Sequence, residues 1–92
     1  MIVRIATEGQ YELHGGDEEE LQKLDNEAVD ACQGSDEQAF RQVFQRMLEF
    51  VRTHGEPVPD DRLEGSDVIL PPPDTSLEEA RAEFTGEGLI PG

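Results

Sequence analysis

Ile2, Val3 and Ile5 open the chain with β-branched residues, and Gln10, Tyr11, Glu12 and Leu13 then alternate polar with apolar. A period of two is the pattern of a half-buried strand. With the turn residues Thr7, Glu8 and Gly9 between them, these runs predict an N-terminal β-hairpin, strands over about 2–5 and 10–13. Tyr11 and Leu13 would share one face and Gln10 and Glu12 the other. Two strands alone are marginal in water, so their apolar face must rest on helices.

After His14-Gly15-Gly16 the period changes. Leu21, Leu24, Ala28, Ala31 and Cys32 recur at three- and four-residue intervals, which predicts a helix over about 18–33. Asp17 is its expected cap, with Glu20 as capping-box partner, and Gly34 the expected left-handed residue that ends it. Phe40, Val43, Phe44, Met47, Leu48 and Val51 then form the clearest apolar stripe in the chain. Arg41, Gln42, Gln45, Arg46, Glu49 and Arg52 take the opposite side. This second helix is expected over 36–54, capped by Ser35 with Gln38 and stopped by Gly55. The short connection at Gly34-Ser35 makes the two helices an antiparallel hairpin.

Residues 56–74 are rich in Pro and Asp and read as an extended loop anchored by Leu63, Val68, Ile69 and Leu70. Within it, Val68 to Leu70 have the composition of a short third strand. A third helix is expected over 76–85, capped by Thr75 or Ser76 with Glu78 or Glu79, and stopped by Gly86. Leu77, Ala80, Arg81 and Phe84 form its inner stripe. The reading is an α+β fold, an N-terminal β-hairpin packed on three α-helices, in one small domain over 1–92.

Charge narrows the functional classes. Twenty-two Asp and Glu against seven Lys and Arg give a formal net charge of −15. Such a field repels a nucleic-acid backbone and an anionic lipid surface. No basic amphipathic helix offsets it, so neither nucleic-acid binding nor direct membrane insertion is expected. Cys32 is alone, which excludes an intramolecular disulfide, and its place in the helical pattern suits a buried structural thiol. No apolar run is longer than Val68-Ile69-Leu70, far below the roughly 20 residues that span a bilayer. With no leader pattern at residue 1, the expected location is cytoplasmic.

Candidate chemistry is sparse. His14 sits in a Gly-flanked turn, and His54 falls in the last helical turn, where a cation suits the dipole. Neither has a familiar metal-ligand spacing to Cys, Asp or Glu. No nucleophile elbow surrounds Ser35, Ser66 or Ser76. The run Asp17 to Glu20 splays outward on a helix, and Asp25 to Asp30 lack the ligand alternation of a calcium loop. Asp60-Asp61 and Ser66-Asp67 lie in the loop, where a cation would be held only weakly. Gly15-Gly16 precede Asp17 and Glu18, which would repel a phosphate. The expectation is therefore no catalytic residue, no cofactor and no metal. An acidic inhibitor or nucleic-acid mimic that binds a basic partner is the alternative reading of so many carboxylates.

Two ends of the chain carry a resemblance. Met1-Ile2-Val3-Arg4-Ile5 with Glu8-Gly9-Gln10-Tyr11, and Leu77-Glu78-Glu79 with Glu87-Gly88-Leu89-Ile90-Pro91-Gly92, resemble the PspA-associated (PspAA) domain family. Leu21, Leu24-Asp25, the Phe40-centred helix and Ser66-Asp67 with the following prolines fit in order between them. The resemblance implies a non-enzymatic accessory or regulatory module of the phage-shock envelope-stress response. It further implies binding to a PspA-like coiled-coil protein, which could recruit the chain to the inner face of the membrane. It implies no catalytic or cofactor-binding residue. Leu89 and Ile90, an apolar pair in a Gly-flanked tail, are the candidate partner contact. Folding of this pair back onto the hairpin is the simpler alternative and carries the greater weight.

Overall fold

A computed structural model describes residues 1–59 and 65–84. Leu63, Gly86, Leu89 and Ile90, all given roles above, lie outside the described residues. The architecture is the expected α+β one, with a larger sheet than the hairpin alone. Strands β1 (Ile2–Ile5) and β2 (Gly9–Glu12) precede helices α1 (Gly16–Gln33) and α2 (Glu37–His54). Strands β3 (Glu56–Val58) and β4 (Val68–Leu70) follow, and then helix α3 (Leu77–Glu83). The sheet order is β3-β2-β1-β4. β2 is antiparallel to both β1 and β3, whereas β4 runs parallel to β1.

The expected loop over 56–74 thus contains both edge strands of the sheet. β3 was hidden from the sequence by Pro57, which lacks the N–H of a ladder donor. An edge strand tolerates this, because only one of its sides must pair. Here Pro57 is opposite Tyr11, and only β2 adjoins β3.

Strand alternation and register divide the sheet into two faces. Val3, Ile5, Val68 and Leu70 are buried in the main core with Leu13. They meet Leu21, Leu24, Ala28 and Cys32 of α1 and Phe40, Phe44, Met47 and Val51 of α2. Arg4, Gln10, Val58 and Ile69 share the opposite face, as do Ile2, Glu12 and Glu56. Segment 66–67 is tied to this side. Ser66 Oγ accepts from Gln10 Nε2 at 2.7 Å and from Arg4 Nε at 3.4 Å. Asp67 Oδ2 accepts from the Ile2 N–H at 2.8 Å, and the Asp67 N–H donates to Ile2 O at the same distance. Asp67 therefore extends the β1 ladder and is not a loose cation ligand.

The helix ends differ from the sequence reading in instructive ways. α1 begins two residues earlier than expected, after Gly15 at φ 53°, and no side chain caps it. Asp17 lies inside the first turn with Glu18 and Glu19, where negative charge favours the helix dipole. At the other end Gly34 is right-handed, with φ −80°, and Ser35 takes the left-handed residue's place, with φ 53°. The Ser35 N–H donates to Cys32 O and the Asp36 N–H to Ala31 O, both at 3.1 Å. This is the paired closure of a Schellman turn with serine at C′. Asp36 then caps α2, its Oδ1 accepting from the Ala39 N–H at 3.0 Å. An aspartate displaces the expected Ser35–Gln38 box because Ser35 is already spent on the turn.

Serine pays a steric penalty at positive φ that glycine does not. Ser35→Gly is therefore expected to stabilise the domain by about 0.5–1 kcal/mol, raising Tm by a few degrees. Thermal unfolding checks this, and an unchanged or lower Tm would show that the left-handed residue is not under strain.

Helix α3 is capped by Ser76, the second of the two candidates. Its Oγ accepts from the Glu79 N–H at 3.2 Å, and Glu79 Oε1 accepts from the Ser76 N–H at 3.1 Å, completing a capping box. The backbone hydrogen bond from Ser76 holds the Glu79 carboxyl below its ordinary range, with the Ser76 side chain adding to it. Ala80 and Phe84 face the core as expected, whereas Arg81 is exposed.

Candidate functional site

Three places on the described surface combine chemistry with position. The first is a cleft of about 420 Å³ between α2 and the segment before α3. Phe44 and Leu48 lie at its base, with Arg41, Arg52, Pro73, Asp74, Thr75 and Ser76 around it. Both guanidiniums are engaged. Arg41 Nη2 donates to Glu37 at 2.7 Å. Arg52 grips Glu8 of the hairpin turn through Nε and Nη2, and also donates to Glu49 from Nη1 at 3.2 Å. The Glu8 hydrogen bond leads the effects that raise the Arg52 pKa, so its charge is fixed at all ordinary pH values. The hydroxyls here serve the backbone and the cap: Thr75 Oγ1 donates to Pro72 O at 2.7 Å, and Ser76 Oγ belongs to the α3 capping box. Within that box Ser76 Oγ donates to Glu79 Oε1 at 3.0 Å.

The second place is the outer edge of β4. Ile69 stands 58% exposed there, the one large hydrophobic among the described residues with that much surface in water. A single exposed isoleucine is ordinary and identifies no partner.

The third place was missed by the sequence reading. Glu12 and Glu56 are cross-strand partners on β2 and β3, and His14 follows Glu12 by two residues. One ligand atom from each of these three side chains lies within 4.8 Å of the others. His14 therefore has two carboxylates beside it, although none sits at a helical ligand spacing. The available signal was Pro57 itself, since proline in a short apolar–polar run is compatible with an edge strand as well as with a loop.

The remaining candidates have structural roles. His54 closes α2, its ring stacked on Phe50 with centroids 4.4 Å apart and its Nδ1 3.6 Å from Asp17 at the start of α1. Cys32 is buried in the core, and burial pushes its thiol pKa up, opposed in part by Arg81. A protonated buried thiol is a poor nucleophile. Carboxylates are similarly occupied: Glu27 pairs with Arg46 at 3.5 Å, while Asp36, Asp67 and Glu79 serve as caps or ladder extensions. No helix among the described residues is long and apolar enough to cross a membrane.

No curated protein and no solved structure matches the chain. A family model does match, described as PspA-associated protein, and it runs over residues 1–92. The N-terminal hairpin, the Phe40-centred helix and the final segment that carried the resemblance all fall inside that match, and the chain belongs to the PspA-associated (PspAA) family.

Proposed function

We propose that this chain is a non-enzymatic accessory module of the phage-shock response that acts by binding a PspA-like coiled-coil protein. The observation that carries this reading is the family match across the full chain, in a family described by its association with PspA. The arrangement of charge supports contact with a protein over mimicry of nucleic acid. Glu8, Glu27, Glu37 and Glu49 are paired with arginines, and Asp36, Asp67 and Glu79 satisfy backbone donors. Those seven carboxylates serve the fold locally, whereas a decoy needs its acids free and regularly spaced.

The chain acts at the cytoplasmic side and reaches the membrane only through its partner. Its net charge of −15 opposes direct contact with anionic lipid. Leu89 and Ile90 are the candidate apolar contact to the coiled coil, set against the simpler alternative that they fold back onto the hairpin. Sedimentation with anionic vesicles tests both parts. The expected result is that the chain stays in the supernatant alone and pellets when PspA coats the vesicles. A Leu89→Ala/Ile90→Ala double variant should keep its Tm and lose at least tenfold in co-pelleting. Pelleting on bare vesicles would overturn the indirect route. A double variant that pellets normally, or that melts early because the pair folds back onto the hairpin, would move the contact elsewhere.

A further inference from the structure

The register of β2 and β3 sets Glu12 directly against Glu56. Like charges directly opposite across an antiparallel pair destabilise it. The cost falls on an edge strand of only three residues that already lacks one donor at Pro57. His14 adds an imidazole to the same spot, and the three donor atoms lie within 4.8 Å of one another. Among the described residues, none of these three side chains is committed to a hydrogen bond or an ion pair, in contrast to Glu8, Glu37, Glu49, Asp36 and Asp67.

We propose that Glu12, His14 and Glu56 form a binding site for a divalent transition-metal cation of the zinc class, which clamps β3 to β2. A cation between the two carboxylates turns their repulsion into shared attraction. One imidazole with two carboxylates is a donor set for zinc and its neighbours, whereas magnesium and calcium prefer more oxygens and no nitrogen. Tetrahedral ligands at about 2.1 Å stand roughly 3.4 Å apart. Glu12 is half-buried and His14 and Glu56 are exposed, so side-chain rotation closes the remaining distance without moving the strands. The carboxylate excess of the whole chain raises the local concentration of cations around the site. Because the three ligands come from β2, its following turn and β3, binding is linked to docking of the edge strand. The site is independent of the PspA reading, which stands or falls on its own binding test.

Thermal unfolding with zinc chloride tests the site, with magnesium chloride at matched ionic strength as control and His14→Ala and Glu56→Gln as variants. Zinc at a hundredfold excess over its dissociation constant should raise the Tm of the unaltered chain by about 10 °C or more. Magnesium should have no matching effect. Without metal, Glu56→Gln should melt at or above the temperature of the unaltered chain, since it removes the like-charge pair, and yet lose the response to zinc. His14→Ala should fold normally and lose the response as well. The absence of a saturable zinc shift would overturn the proposal. So would a full shift in either variant, which would assign the effect to carboxylates elsewhere on this acidic surface.

Discussion

Phe44→Ala should cost about 3–5 kcal/mol, a large part of the margin of about 5–15 kcal/mol that holds a small domain folded. Phe44 is 3% exposed and sits at the centre of an aromatic cluster. Its ring stacks on Phe40, with centroids 5.3 Å apart and planes 13° apart, and meets Phe84 edge-on at 6.2 Å. Phe84 also meets Phe40 edge-on at 5.8 Å. Phe84 is the C-cap of α3, so these rings are what fasten the last helix to α2. Truncation at Phe44 leaves a cavity between the two helices and removes both ring contacts at once. Urea unfolding measures the loss, and an unfolding free energy within about 0.5 kcal/mol of the unaltered chain's would contradict the assigned core.

Gly55→Ala is the second large effect, and its cause is different. Gly55 has φ −79°, a value open to any residue, so its backbone conformation does not demand glycine. Space does. A Cβ there would lie 2.6 Å from Val51 O and 2.8 Å from Tyr11 Cβ. Gly55 is where α2 ends and the chain turns into β3, beside the inner face of β2. A methyl group must push either the last turn of α2 or strand β2, and overpacking of this kind costs about 1–3 kcal/mol. Gly16→Ala is the matched control, since a Cβ at Gly16 meets nothing within 4 Å. The expected order of Tm is Gly55→Ala well below Gly16→Ala; equal values would show that the α2–β3 corner is not tightly packed.

The helical part of the fold was legible because its signal is repetitive. Six apolar residues from Phe40 to Val51 mark one face of α2, and all six are buried. The first two strands were legible for the same reason, with alternation from Gln10 to Leu13. Of the outer strands, β4 was legible as the short strand at Val68 to Leu70, whereas β3 was not, because it is only three residues long and carries a proline in its middle. Their pairing depends on contacts to β2 and β1 that are distant in sequence. Local chemistry misled at the helix ends too: Gly34 was the natural left-handed residue, yet the hydrogen bonds of the turn place Ser35 there and pass the cap to Asp36. The Glu12–His14–Glu56 cluster was missed for the same reason as β3, since its third member arrives with that strand. No motif spacing could reveal it.

The membership of the chain in the PspA-associated family makes direct contact with PspA the central claim. Isothermal titration of the purified chain into purified PspA, with no lipid present, measures that contact most directly. The expected result is saturable binding with a defined stoichiometry that persists at about 0.15 M salt, where the screening length is about 8 Å. Binding that vanishes at that salt would reduce the contact to unspecific attraction by an acidic surface. No heat and no complex at any salt concentration would contradict direct recognition altogether.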